Sequence, residues 1–351
     1  MALLLFGCSS GNQPPSANYI KLAGETMGTT YHVTYSDGQQ RDFQAGIDSL
    51  LRIVNLEVST YIEQSTISRF NQADSAFNLS YDPRTQEAGG YPNRHFLANY
   101  FKAREVYEAS EGYFDPTIMP LVNYWGFGYT PKKMVEAVDS TAIDSLTEFV
   151  GFGKVSLAVR GGDSLLLKAA PGVQLDFSAL AKGYGVDAVA QLLAARGVQH
   201  YMVEIGGEVV ARGQSPRGED WKIGINVPRE DAGREDIQTA VPLHNQALAT
   251  SGNYRNFYEV NGAKYSHTIS PFTGFPERST LLSASVFAPD CMTADAYATA
   301  FMAMGLDKAA ELAGRLPGIE GYFLYNAEDG TLGVRYTDGL RPLFEKERDK
   351  Q

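Results

Sequence analysis

Cysteine is almost missing from this chain. There are two in 351 residues, Cys8 and Cys291, far apart and in unlike contexts. That excludes a disulfide framework and a cysteine-rich zinc module. Positive charge is also in deficit: 30 Lys and Arg stand against 41 Asp and Glu, a formal net charge of −11. No basic stretch relieves the deficit, so nucleic acid is excluded as a partner. After the first few residues no apolar run is long enough to span a membrane. A glycine-rich loop ending in Lys-Ser/Thr is lacking, and Gly206-Gly207 is too short for a dinucleotide fingerprint, which removes the Walker and Rossmann readings.

What is present describes a folded chain. Hydrophobic residues at 44% and charged residues at 20% are those of a protein with a packed core. The length allows one large or two intimate domains. Leu3-Leu4-Leu5-Phe6-Gly7-Cys8 resembles the end of a bacterial lipoprotein signal, in which a small residue precedes the cysteine to be lipidated, although no Lys or Arg precedes the run. Ser9 to Ser16, with Gly11, Pro14 and Pro15, then reads as a flexible tether. Residues 1–18 are therefore set apart as signal remnant and tether from a single domain over 19–345. The expectation is a lipid-anchored protein of the bacterial cell envelope, on the periplasmic side, held to the membrane through Cys8.

Within the body, Tyr31–Tyr35 reads as a strand, and Phe43, Ile47, Leu50, Leu51 and Val54 mark an amphipathic helix. A second helix carries Phe96, Tyr100, Ala103 and Tyr107 and stops at Gly112. Lys132–Phe149 is charged and helical in composition, an exposed element. Val155–Val159 and Leu165–Leu167 flank a Gly161-Gly162 turn as a hairpin. Strands follow at Tyr201–Ile205, Trp221–Val227 and Ser283–Ala288, then helices over Asp290–Gly305 and Asp307–Leu316 and two closing strands. Helices and hairpins alternate without regular βαβ repeats, which gives α+β rather than a doubly wound sheet.

The chemistry gathers first at Leu175–Asp187. An apolar and acidic segment passes through small residues into a helix with Lys182 near its start, and Val186, Val189, Leu192 and Leu193 recur at helical spacing. Asp176 and Lys182 thus sit at a strand-to-helix junction, where backbone amides hold phosphates, though a buried helix with a charge at each end explains the stretch equally. Asp295 and Thr299 are four apart and share a helix face, offering Mg²⁺ a carboxylate and a hydroxyl; capping or a solvated face is the commoner use of such a pair. Of five histidines, His267 alone lies in a Ser-His-x-x-x-Pro loop, either a general base or a polar turn residue.

Taken in order and spacing, Met27-Gly28-Thr29-Thr30, Ser59-Thr60-Tyr61, Phe114-Asp115-Pro116, Asp176 to Tyr184, Ile205-Gly206-Gly207, His267-x-Ile269-x-Pro271-x-Thr273-Gly274 and Thr293-Ala294-Asp295-Ala296-x-Ala298-Thr299 resemble the ApbE family over about residues 20 to 340. Those proteins are FAD:protein FMN transferases, long labelled thiamine-biosynthesis lipoproteins. The resemblance implies a T-fold-like α+β architecture with an FAD cleft between two intimately packed lobes. It also implies Mg²⁺-dependent transfer of FMN from FAD to a Ser or Thr hydroxyl of an acceptor protein, with release of AMP. By position, Met27, Tyr61, Tyr113, Phe114, Asp115, Asp176, Lys182 and Ile269 would contact FAD. The Ala179 carbonyl, Asp295 and Thr299 would hold the metal, and His267 would be the base. The implied acceptors are flavoprotein subunits of membrane electron-transfer complexes, bearing an Asp-x-x-Ser/Thr-Gly-Ala-Ser/Thr motif that this chain lacks. The chain departs from the common family pattern at Phe177-Ser178, Glu204 and Ser270, each beside a matched residue. FAD hydrolysis to FMN and AMP, and FAD binding without chemistry, are the alternatives.

Overall fold

Alternating apolar residues place one face of a broad antiparallel sheet against helices, and that sheet carries the rest. The computed structural model describes residues 19–80, 92–130, 138–229, 233, 236–253, 257–260, 263–277 and 279–348. Cys8 and the tether expected at 1–18 lie outside the described residues, as does most of the loop at 80–92.

In chain order the strands are β1 (Tyr19–Thr26), β2 (Thr29–Ser36), β3 (Ala76–Asn78), β4 (Val155–Arg160), β5 (Asp163–Lys168), β6 (His200–Ile205), β7 (Glu208–Arg212), β8 (Trp221–Asn226), β9 (Ile237–Leu243), β10 (Ala247–Gly252), β11 (Phe257–Val260), β12 (Ala263–Ser266), β13 (Leu281–Ala288), β14 (Glu320–Asn326) and β15 (Leu332–Tyr336). The helices are α1 (Gln44–Val58), α2 (Thr66–Gln72), α3 (Arg94–Ala109), α4 (Met119–Tyr124), α5 (Ser140–Thr147), α6 (Ala181–Ala195), α7 (Cys291–Met304), α8 (Leu306–Arg315) and α9 (Arg341–Arg348). The large sheet runs β1-β2-β6-β7-β10-β13-β14-β15, every neighbour antiparallel. This is the α+β class.

Register shows why the sheet holds. Tyr31, Val33 and Tyr35 of β2 stand opposite Ile205, Val203 and Tyr201 of β6. These cross-strand pairs bury one face against Ile47 and Leu51 of α1 and Val186, Val189 and Leu193 of α6. On the other face, Val209, Leu248, Phe287 and Leu324 pack against Trp221, Val241 and Leu243 of the β8–β9 hairpin. Helix α7 is buried nearly all round, with Ala294, Ala296, Ala298 and Ala300 fully covered. Its alanines leave the narrow cross-section a helix needs to sit between a sheet and another helix.

Three local features refine the sequence reading. The segment before α6 is an extended loop, not a strand. Its backbone is held by Pro116, whose carbonyl accepts the Asp176 N–H at 2.7 Å, and by Asn71, which bonds both the N–H and carbonyl of Leu175. A side chain has replaced the ladder. Met27-Gly28 is a two-residue hairpin tip, both residues at positive φ (50° and 72°), closing the Thr26–Thr29 pair. Of Lys132–Phe149, residues 132–137 lie outside the described set, and α5 is anchored rather than wholly exposed, since Ile143 is buried.

Candidate active site

Two adjoining cavities form one cleft, sharing Asp176, Ser178 and Lys182 on their walls. The larger, about 1120 Å³, is lined by the Met27-Gly28 tip, by Arg52 and Asn55 of α1 and by Ser59–Ile62. The smaller, about 510 Å³, is lined by the Tyr113–Pro116 loop, Ala179, Glu208, Ser251, His267, Ile269, Asp295 and Thr299. Every candidate flavin, metal and base residue read from the sequence therefore borders the cleft, although the segments are up to 272 residues apart along the chain (27 to 299).

The first cavity is shaped by a strained turn and a bare helix. Met27 occupies the left-handed region, which costs a non-glycine residue of order 1 kcal/mol. Its methyl lies 3.0 Å from where a Cβ on Gly185 would sit, so α6 leaves that position empty for it. Tyr61 is 69% exposed at the rim, an aromatic face open to a planar ligand.

The floor of the second cavity is polar and buried. Asp295, 2% exposed, reaches from α7 towards the first turn of α6. Its Oδ2 accepts the Gly183 N–H at 2.9 Å, and its Oδ1 lies 3.5 Å from Lys182 Nζ. Lys182 Nζ also pairs with Glu208 Oε1 at 2.9 Å. Burial lifts the carboxyl pKa of both Asp295 and Glu208. Burial alone lowers that of Lys182, but the two carboxylates outweigh it and keep the ammonium charged. The approach of α6 to α7 requires glycine: a Cβ on Gly183 would meet the Cys291 carbonyl oxygen at 2.3 Å.

Asp176 is buried, and its carboxylate accepts the N–H and the hydroxyl of Ser178, each at 2.8 Å, in a local turn. Asp115 does the same with Thr117, whose hydroxyl in turn accepts the Gly151 N–H at 2.7 Å. Burial raises both aspartate pKa values, and the local donors oppose it. Tyr113 packs edge-on against Phe272, with Lys308 Nζ 4.7 Å above its ring.

The loop carrying His267 is fixed from below. Trp125 Nε1 donates to the Gly274 carbonyl at 2.7 Å, the Gly274 N–H donates to the Ser270 carbonyl at 2.9 Å, and Thr268 donates to Asn253 at 2.7 Å. Ile269 is buried with Leu121, Trp125, Ile143 and Val150, so it anchors the loop while bordering the cavity. His267 is half-buried, its ring 6.3 Å from that of Phe127. Of the departures noted in the sequence, Phe177 packs into the core against Phe96 and Ser178 holds Asp176. Ser270 is buried within the loop turn, and Glu204 pairs with His32 at 2.6 Å.

The donor set suits a hard divalent cation. Asp295 and Thr299 present a carboxylate and a hydroxyl one turn apart. The amide that a continuing helix would aim at the Ala179 carbonyl, that of Gly183, is given to Asp295 instead. Glu208 Oε2 is buried with no hydrogen-bond partner among the described residues. No group of three or more His, Cys, Asp or Glu is poised for a metal among those residues. Sequence patterns did not single out Glu208, Thr250 or Ser251. Ser251 lies 3.2 Å from the Thr299 hydroxyl, and Glu208 was signalled only by the Gly206-Gly207 turn before it.

The chain is similar to known proteins over most of its length. The family model described as the ApbE family matches residues 27–323. A curated FAD:protein FMN transferase of Haemophilus influenzae is 37% identical over 324 residues, 89% of this chain and 87% of that protein. A solved flavin transferase ApbE from Vibrio cholerae superposes with a TM-score of 0.78 at 33% identity, over 93% of this chain and 99% of that one. The apo flavinyl transferase ApbE of Pseudomonas stutzeri gives 0.78 at 31% identity, over 93% and 97%.

Proposed function

The chain belongs to the ApbE family, and from that premise we propose that it is an FAD:protein FMN transferase whose chemistry runs in the cleft between α6, α7 and the His267 loop. The observation that carries the residue assignment is the floor of that cleft. A buried carboxylate, a hydroxyl one turn away and a lysine meet beneath a loop histidine, which is the equipment for phosphoryl transfer rather than for storage of a flavin.

FAD is the donor substrate. Its flavin lies along the cavity of Met27 and Tyr61, and its diphosphate at the junction of the two cavities, beside Lys182 and the Asp176 turn. Asp295, Thr299 and the Ala179 carbonyl would hold Mg²⁺, which when bound neutralises charge on the phosphoryl oxygens. His267 takes the proton of the acceptor Ser or Thr hydroxyl. That oxygen forms a bond to the phosphorus on the FMN side as the bond to AMP breaks, leaving FMN joined to the acceptor by a phosphoester. Lys182 supplies a fixed positive charge near the departing phosphate. The Tyr113–Asp115 loop and Ile269 close the wall.

The acceptor is a protein with an exposed Ser or Thr, such as a flavoprotein subunit of a membrane electron-transfer complex. A lipid tether at Cys8 would bring the enzyme to such partners in the cell envelope; no helix among the described residues is long and apolar enough to cross a membrane. The test is to mix the chain with FAD, Mg²⁺ and an acceptor domain. Flavin fluorescence that survives a denaturing gel is the expected result. AMP without labelled protein would make the chain a hydrolase, and neither product would make it a binding protein. Radiolabelled fatty acid incorporated at Cys8, and lost in Cys8→Ser, tests the tether.

A further inference from the structure

Lys182 stands between two carboxylates and is not shared equally: its Nζ is 2.9 Å from Glu208 Oε1 and 3.5 Å from Asp295 Oδ1. Because Asp295 Oδ2 already accepts the Gly183 N–H, Oδ1 is the freer oxygen for a cation, and Lys182 is its competitor. We infer that Glu208 is a positioning residue that holds the Lys182 ammonium off Asp295 and so keeps that carboxylate available to a divalent cation. The inference rests on the flavin-transfer reading above.

The backbone is arranged for this. Glu208 opens β7 directly after the Gly206-Gly207 turn, both glycines at positive φ (61° and 105°). A Cβ on Gly206 would come within 3.4 Å of Lys182 Cδ and 2.9 Å of Thr29 Cγ2, so the bare turn lets the lysine stem pass across it to Glu208. Glu208 is 4% exposed, and its second oxygen has no hydrogen-bond partner among the described residues. A buried carboxylate oxygen without a donor is costly unless it is used in another state. When a cation takes Asp295 Oδ1, the ammonium loses that neighbour and turns onto both oxygens of Glu208. An ammonium has three donors to give, so the lysine stays satisfied.

The experiment titrates Mn²⁺ into the full chain, without flavin, and follows free ion by electron paramagnetic resonance. Glu208→Gln should bind Mn²⁺ at least about tenfold more weakly, because the released ammonium closes onto Asp295 at hydrogen-bond distance. Lys182→Met removes the competitor and should bind more tightly than the unaltered chain. The double variant Lys182→Met/Glu208→Gln should match Lys182→Met within about twofold, the coupling that marks one residue acting through another. A double variant weakened as much as Glu208→Gln alone would make Glu208 a direct ligand and overturn the inference, as would unchanged affinity in Glu208→Gln. If Glu208→Gln does not fold, the two Lys182→Met proteins still decide: a double variant about tenfold weaker than Lys182→Met overturns the inference. Absence of Mn²⁺ binding in the unaltered chain sinks the cation reading itself, and this inference with it.

Discussion

Gly183→Ala is a one-carbon change with a large expected effect. Helix propensity favours alanine there by up to ~1 kcal/mol. Packing opposes it: the new Cβ would lie 2.3 Å from the Cys291 carbonyl oxygen, 2.7 Å from its carbon and 2.8 Å from Asp295 Cβ. Two of those atoms are backbone of α7, so no side-chain rotation relieves the contact and the helices must part. Overpacking of this kind costs about 1–3 kcal/mol. Parting also lengthens the 2.9 Å bond from Gly183 N–H to Asp295, and a bond to a charged acceptor contributes about 1.5–3 kcal/mol. The clash and the lost bond outweigh propensity, leaving a net loss of about 2–4 kcal/mol. For a chain this long, with unfolding entropy near 2 cal/mol/K per residue, that lowers Tm by roughly 3–6 °C. A carboxylate displaced by about 1 Å should cost on the order of 100-fold in transfer rate. Calorimetry and a gel assay of flavin transfer read the two effects side by side. A variant with unaltered Tm and rate would refute the claim that α6 clamps Asp295.

Asp295→Ala should reduce Mg²⁺-dependent AMP release by at least ~100-fold, since it removes the one carboxylate of the proposed metal set; undiminished turnover across a Mg²⁺ titration would count against that set. His267→Ala should retain FAD affinity and lose transfer by about 10²–10⁴-fold. If equilibrium dialysis shows that FAD binding itself disappears, the histidine is a binding residue. Met27→Gly should relieve the left-handed strain and raise Tm slightly while weakening FAD binding, whereas Met27→Val should lower Tm, because a β-branched residue tolerates that φ poorly. His95 carries the pH prediction. Its Nδ1 pairs with the Tyr184 hydroxyl at 2.7 Å, and burial pushes its pKa down to about 4. The unfolded histidine takes up its proton near pH 6.5, so stability is complete above that value and falls as pH drops towards 4. Between pH 7 and pH 5 the histidine's own share of the loss should be about 2 kcal/mol, read as the difference in urea midpoints between the unaltered chain and His95→Gln at the two pH values.

Much of this architecture was legible because it depends on period. The alternation of Tyr201, Val203 and Ile205 and the four-residue spacing of Asp295 and Thr299 each reduce to which way neighbouring side chains point. What was not legible depends on partners distant in sequence. The stretch before α6 carries strand-like residues, yet Asn71, more than a hundred positions away, satisfies its backbone and no strand forms. Asp176 and Lys182 read as a pair from their spacing, but the carboxylates that reach Lys182 are Glu208 and Asp295, brought in by a hairpin and by a helix from the last quarter of the chain. Glu208 itself sits in a strand of apolar neighbours, where a lone acid gives no periodic signal.

The strand order has a further consequence, in time rather than space. In β1-β2-β6-β7-β10-β13-β14-β15 the first two strands lie at one edge, and the strands that close the sheet come from the chain's far end. The Lys182–Asp295 contact spans 113 residues, and α7 needs β10 and β13 beneath it before it can settle. Closing such long loops comes late in folding, because chain entropy must be lost before any contact offsets it. During synthesis the α1–β6 layer can form early, but the acid, the lysine and the histidine loop meet only once the final third of the polypeptide is available. A chain made only as far as β6 thus has strands and helices but lacks Glu208, His267 and Asp295, and its reactive centre waits for the later residues.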